Sequence, residues 1–330
     1  MASFMKNSEE KEYAHSCIDE KYIIASFYKF VPISNLDELQ TILYDFCWGL
    51  GISGTVLLAD EGINGTIAGS RSSVKDLYQW LCGQLNLNGL QIRYSEDTSV
   101  PFHRLRVRIK KEIVTMGKQA IDPTSKVGAY VHPLDWNSLL EEENTVVIDT
   151  RNHYEVEIGT FDKALNPKTN SFRQFPAWVA GTLEKMPGIN KESKIAMFCT
   201  GGIRCEKATS FLKNRGYKNI FHLEGGILKY FEEVSDEDNL WNGECFVFDN
   251  RVALKKDLRP GKYSMCHACR MPLAQTDLDS KKYSPGLHCP KCYGTHSEKQ
   301  VKRFKDRQRQ IELSNLRGVK HLGGRVKQDG

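Results

Sequence analysis

The residues best suited to chemistry lie between Ile195 and Leu212. An apolar strand, Ile195-Ala196-Met197-Phe198, runs into Cys199-Thr200-Gly201-Gly202-Ile203-Arg204, and a helix begins at about Cys205. A cysteine at such a corner meets converging backbone N–H groups and the positive end of a helix dipole, so its thiol should ionise below the usual ~8.5. Gly201 and Gly202 let those amides curl inward, and Arg204 adds a fixed charge. The loop therefore reads as a cradle for an anion bonded to sulfur. Cys205 has two readings: a resolving thiol that attacks a persulfide or sulfenate on Cys199, or a small residue opening the helix.

A second constellation is Cys266-x-x-Cys269 and Cys289-x-x-Cys292, with nineteen residues between the pairs. That spacing matches two zinc knuckles joined by a hairpin, and four thiolates would close a structural Zn²⁺ site with no open position. His267, His288 and His296 are nearby substitutes for a ligand, and a redox dithiol pair is the alternative. A third feature is basic. Arg104, Arg106 and Arg108 alternate with Leu105, Val107 and Ile109 within Phe102 to Val114, so a strand there would line three guanidinium groups on one face.

Elements that could position these groups follow from the periodicity. Tyr22 to Val31 reads as a strand, Asn35 to Leu50 as a helix with Leu36, Leu39, Leu43, Phe46 and Leu50 on one stripe, and Thr55 to Ala59 with Ile63 to Ala68 as a hairpin. Ser70 to Leu85 is a second helix, capped near its first serine, and Leu90 to Tyr94 a closing strand. The order β-α-β-β-α-β predicts a ferredoxin-like unit. From Asp135 to about Trp241, short apolar strands (Val146 to Ile148, Ile195 to Phe198, Ile220 to Leu223) alternate with helical stretches, including Glu206 to Arg215. Such alternation predicts a parallel α/β sheet with ligands at the carboxyl ends of its strands. Glu298 to Leu316 predicts a helix with Val301, Phe304 and Ile311 on one stripe and Lys302, Arg303, Lys305, Arg307 and Arg309 over the rest.

The middle region resembles the rhodanese family. The resemblance rests on Val146-Val147-Ile148-Asp149-Thr150-Arg151, Tyr154-Glu155, Ile158-Gly159-Thr160-Phe161, Ala164-Leu165-Asn166-Pro167, the Cys199 loop and Leu223-Glu224-Gly225-Gly226-Ile227. It implies that Cys199 is a nucleophile that carries a persulfide, that Arg204 frames the loop, and that Asp149 and Arg151 are mainly structural. In related cysteine phosphatases the arginine stands one residue further along. Here Arg204 is fifth after Cys199, a narrower ring that favours sulfur over phosphate.

The whole chain resembles the rhodanese-domain tRNA uridine hydroxylases. The agreement lies in Ala59-Asp60-Glu61-Gly62-Ile63-Asn64-Gly65, in Glu112-Ile113-Val114, in Cys199 through Lys207, and in Cys266-His267-Ala268-Cys269. The resemblance implies oxygen-dependent hydroxylation of the wobble uridine of certain tRNAs at ring carbon five, with Cys199 essential and molecular oxygen as co-substrate. It implies tRNA as partner. No flavin, haem or nicotinamide signature accompanies it. The rival readings are a sulfurtransferase acting on tRNA or small thiols, and a non-catalytic, redox-sensing tRNA-binding protein.

Composition bounds these expectations. With 330 residues, 40% hydrophobic and 26% charged, the chain has material for two or three cores. The net charge is only +5, but residues 299–330 hold ten Lys or Arg against three Asp or Glu, a local +7 that leaves −2 for the rest. With the arginine strand this points to phosphate-backbone binding by Arg104, Arg106, Arg108, Lys302 and Arg303. Acidic residues interrupt the first thirty positions, no stretch approaches ~18 apolar residues, and the cysteine usage calls for reduced thiols, so a cytoplasmic chain with no membrane partner is expected. The expected organisation is a polar leader (1–20), a ferredoxin-like, acylphosphatase-like domain (21–118), a rhodanese α/β domain with a parallel sheet (119–244), and a small Cys-rich, zinc-type segment with a basic tail (245–330). The fold class is thus mixed α/β and α+β, in several domains.

Overall fold

The computed structural model describes residues 21–85, 87, 89–98, 101–118 and 121–317. The expected leader and the basic residues past 317 lie outside the described residues. The first unit runs β1 (Tyr22–Phe30), α1 (Leu36–Gly49), β2 (Ser53–Ala59), β3 (Gly62–Gly69), α2 (Arg71–Gln84), β4 (Gln91–Asp97) and β5 (Leu105–Ile109). Its sheet has the order β4-β1-β3-β2-β5, antiparallel except where β5 joins β2. Helix α2 starts where Ser70 accepts the Ser73 N–H at 3.1 Å. Val74, Leu77 and Leu81 of α2 pack with Leu39, Leu43 and Cys47 of α1 against one face of the sheet. Helices cover that face alone, so the strands alternate, and the polar residues Ser26, Thr55 and Thr66 point to the other side.

The arginine strand is shorter than expected and is placed differently. Only Leu105–Ile109 is extended, as the parallel edge of this sheet, and Glu112 to Val114 leave it to cross toward the second unit. Register sets Arg93, Ser26, Thr66, Thr55 and Arg106 side by side across the five strands, on the face without helices.

The second unit contains β6 (Ala129–Val131), α3 (Pro133–Glu141), β7 (Thr145–Asp149), α4 (His153–Val156), β8 (Gly159–Phe161), α5 (Phe175–Gly181), β9 (Lys194–Phe198), α6 (Ile203–Asn214), β10 (Ile220–Leu223) and α7 (Gly226–Glu233). Its four-stranded sheet, β6-β10-β9-β7, is parallel throughout. Ile195 to Phe198 are wholly buried, as a central parallel strand between helical layers must be. The chain then continues through β11 (Trp241–Gly243), which pairs with β8, and through the hairpins β12 (Cys245–Phe246) with β13 (Ala253–Leu254) and β14 (Ser264–Met265) with β15 (Pro272–Leu273). Two helices follow, α8 (Gln275–Leu278) and α9 (Glu298–Leu316). Among the described residues no helix is long and apolar enough to cross a membrane.

Candidate active site

Strand β9 ends at Phe198, so Cys199 sits at the carboxyl edge of the parallel sheet and α6 begins four residues later. The corner closes because Gly202 adopts φ +98°, a region open mainly to glycine, and its N–H donates to Cys199 Sγ at 3.1 Å. A Cβ on Gly202 would stand 2.7 Å from the Tyr28 hydroxyl. Gly226 is required on the other side: at φ +69°, its Cβ would meet the Cys199 carbonyl oxygen at 2.4 Å.

The amides do turn inward as the sequence predicts, but the balance of forces on the thiol is more particular. Burial pushes Cys199 up. A hydrogen bond with the Cys205 thiol, the nearby Arg204 guanidinium and the backbone N–H groups of Cys205 and Arg204 outweigh it and bring it down to about 6. Cys205 moves the other way, held well above its ordinary value by burial and by the adjoining sulfur. Its sulfur also lies 3.5 Å from Thr150 Oγ1.

Arg204 acts on the sulfur while held by a carboxylate: Nη1 and Nη2 donate to the two oxygens of Glu155 at 2.6 and 2.8 Å, both side chains being buried. Glu155 serves twice: the same carboxylate accepts the Asn152 N–H at 3.0 Å, capping α4. The fork thus clamps α6 to α4 behind the loop, and Arg204 still lines the cavity. Asp149 and Arg151 form a second buried pair at 2.6 Å that also binds the Gly159 carbonyl, with the guanidinium 4.9 Å from the Trp241 ring.

Cys199 is 1% exposed, so its sulfur is reached only through a cavity of about 510 Å³. One wall is the open face of the first sheet, with Ser26, Tyr28, Thr55, Leu57 and Thr66, and the other is the Cys199 loop. Arg93, Arg204 and Arg251 line it, each with a carboxylate partner: Glu232 at 2.7 Å, Glu155 and Asp249. The two units are tied across it. Tyr28 donates to Glu206 Oε1 at 2.8 Å, and burial with the Cys199 charge raises the Glu206 carboxyl, against the hydrogen bonds of Tyr28 and Tyr130.

Of the basic residues expected to bind nucleic acid, none lines this cavity. Arg106 shares its sheet face, Arg108 is exposed on the edge strand and Arg104 just before it, and Lys302 and Arg303 are exposed on α9. Arg307 departs from the expected solvated face, donating to the carbonyls of His267 and Gly286 at 3.0 Å each. Sequence reasoning missed Glu155 as the Arg204 partner, Tyr28 with Glu206, and Arg93 with Arg251. Only Arg93 left a signal, the alternation of β4 that puts it on the polar face.

The four cysteines Cys266, Cys269, Cys289 and Cys292 come together with all sulfur atoms within 4.8 Å of one another, and three of their separations are 4.0, 3.7 and 3.7 Å. A tetrahedron of ~2.3 Å metal–sulfur bonds has edges of about 3.8 Å, so the donor set fits a structural metal ion. None of the three nearby histidines joins the cluster.

Residues 22–113 match the UPF0176 acylphosphatase like domain, and residues 133–233 match the rhodanese-like domain. The tRNA uridine(34) hydroxylase of Teredinibacter turnerae is 50% identical over 92% of this chain and 94% of its own. That of Mesorhizobium japonicum is 49% identical over 91% of this chain and 96% of its own. The chain belongs to the tRNA uridine(34) hydroxylase family.

Proposed function

We propose that this chain is a tRNA-modifying oxidoreductase that hydroxylates the wobble uridine at ring carbon five, with molecular oxygen as co-substrate and Cys199 as the residue that acts. The observation that carries this reading is the position of Cys199 Sγ. It accepts the Gly202 N–H at 3.1 Å and lies at the floor of a cavity between the two units, with the Arg204 guanidinium and the Cys205 thiol favouring its thiolate. Replacing the hydrogen on C5 by hydroxyl with oxygen consumes two electrons and two protons and releases the second oxygen atom as water. Cys199 and Cys205, in hydrogen-bond contact, balance that demand by closing to a disulfide, which releases two electrons and two protons; a persulfide on Cys199 releases the same by joining the Cys205 thiol as a trisulfide. Thr200, Gly201, Gly202 and Ile203 present the amides that steady negative charge as it develops, and the Arg204 to Glu155 fork holds them in place.

Arg104, Arg106, Arg108, Lys302 and Arg303 are read as phosphate contacts that steer tRNA, and the four-cysteine cluster as a structural Zn²⁺ site outside the reaction. The cytoplasm is the compartment that supplies both tRNA and reduced thiols. Nucleoside mass spectrometry on tRNA from cells with and without the protein tests the reading. Loss of 5-hydroxyuridine, reproduced by Cys199→Ser, is expected. Loss of a thiolated uridine instead would replace hydroxylation by sulfur transfer.

A further inference from the structure

The rim of the Cys199 cavity carries an exposed aromatic ring that neither the loop chemistry nor the fold uses. Phe248 is 61% exposed, yet it lines the cavity and packs against a second ring. Its ring meets Phe246 edge-on at 5.1 Å, and Phe246 in turn meets Tyr154 at 5.2 Å. The turn that bears it is pinned by a fork. Asp249 accepts from the Arg251 N–H, Nε and Nη2 at 2.9, 2.8 and 2.5 Å, and Arg251 Nη1 donates to Ser95 Oγ on the opposite unit at 2.7 Å. The turn closes at Val252, a β-branched residue at φ +65°, a costly conformation. A large apolar group is thus presented to solvent on a strained, doubly anchored turn at the entrance to the reactive sulfur.

We infer that Phe248 is a stacking platform for a base flanking the nucleotide that enters the cavity. The inference rests on the proposed tRNA uridine reading. To reach Cys199, a uridine must leave the anticodon stack, and its neighbour then loses a stacking partner. An aromatic face at the rim replaces that partner, and such stacking serves any base. The guanidinium groups lining the cavity favour this occupant over a phosphate, because Arg93, Arg204 and Arg251 are already neutralised by Glu232, Glu155 and Asp249.

The test is equilibrium binding of an unmodified anticodon stem–loop RNA to the full chain without turnover, comparing Phe248→Ala, Phe248→Leu and Phe248→Trp with the parent. Phe248→Ala and Phe248→Leu should bind about 5- to 150-fold more weakly, the range to which 1–3 kcal/mol per stacked base converts, whereas Phe248→Trp retains affinity. The indole that Phe248→Trp adds should lose fluorescence when RNA binds, and in turnover Phe248→Ala should raise KM for tRNA more than it lowers kcat. Equal RNA affinity in parent and Phe248→Ala overturns the inference while leaving hydroxylation standing. So does retention of affinity by Phe248→Leu, or a shift from dimer to monomer caused by Phe248→Ala without RNA, which would make Phe248 an interface residue between copies. A chain that binds the RNA normally but leaves uridine unhydroxylated sinks the proposed function instead.

Discussion

Lys207 Nζ lies 2.6 Å from Glu112 Oε2 and is 1% exposed, so the helix carrying the reactive loop is fastened to the first unit by a buried ion pair. Glu61 Oε2 stands 2.8 Å from the same nitrogen and the Val114 carbonyl 3.0 Å, and the Phe30 ring lies beside it. The two carboxylates are anchored in turn: Glu61 accepts the Ile113 N–H, and Glu112 those of Met116 and Gly117. Three stretches far apart in sequence, around residues 61, 112 and 207, thus converge on one cation three residues after Arg204.

Lys207→Met should therefore cost stability. It strands two partly buried carboxylates, and breaking a buried pair on one side typically costs about 3–5 kcal/mol. Glu112 and Glu61 keep 15% and 23% exposure, so the lower end, about 3 kcal/mol, is expected. Urea unfolding checks the value, and Lys207→Met combined with Glu112→Gln should recover part of it. The parent should also lose stability in acid. Burial pushes the Glu112 carboxyl up, but the Lys207 hydrogen bond and the Met116 and Gly117 N–H groups hold it below the ordinary range. A depressed carboxyl stabilises above its unfolded value of ~4.3, and that stability is lost as pH falls through the folded value. Lys207→Met should show a smaller loss over that window.

The sulfur pair gives a second prediction. Alkylation of Cys199 by a small haloacetamide should follow its thiolate, rising with pH about a midpoint near 6, well below the ~8.5 of a free cysteine. Cys205→Ala removes the thiol hydrogen bond that helps hold Cys199 down, so the midpoint should move up. Cys205→Ser, which keeps a donor, should move it less. A midpoint unchanged in Cys205→Ala would remove Cys205 from the electrostatics of the site.

How much of this was legible follows from the range of each interaction. Strands β1 to β4 and helices α1, α2 and α9 are marked by local periodicity, and the capping serine of α2 by its residue type. The Cys199 corner is equally local, since a strand, two glycines and a helix within ten residues define it. Glu155 is different: Tyr154-Glu155 belongs to the rhodanese resemblance, but its pairing with Arg204 spans forty-nine positions and nothing local names that partner. The strand through Arg104 to Arg108 shows the same limit. Alternation predicts its two faces, but only the register of β5 with β2 reveals that Arg106 continues the row that starts at Arg93.

The basic residues away from the cavity should act on affinity and not on chemistry. Replacing Arg106 and Arg108 by Ser should weaken tRNA binding and flatten its salt dependence, by ~0.7–0.9 in the slope of log K against log salt for each phosphate that the variant leaves unneutralised. Lys302→Ser with Arg303→Ser should do the same from α9. Binding titrations across salt concentrations check this, and an unchanged slope in both variants would confine tRNA binding to the cavity rim.

Zinc removal should unfold the segment around the cluster and leave the Cys199 thiolate as it is. The cysteine cluster organises a segment whose own apolar core is small: Leu273 and the cysteines themselves, with Ala268, Leu278 and Tyr283 packed against them. Helix α9 is fastened to it by Arg307 through the carbonyls of His267 and Gly286, and Lys291 beside the second knuckle reaches Glu157, next to α4 and the Glu155 clamp. The expected stoichiometry is one zinc per chain by elemental analysis, lost in Cys269→Ser and on prolonged chelation. Because ligand binding and folding are coupled in such modules, the chelated protein should lose the α9 contribution to circular dichroism and become protease-sensitive after about residue 260. The Cys199 alkylation midpoint should stay near 6, since its donors belong to Gly202 and the first turn of α6. A midpoint that moved with the metal would instead make the cluster part of the machinery that sets the thiolate.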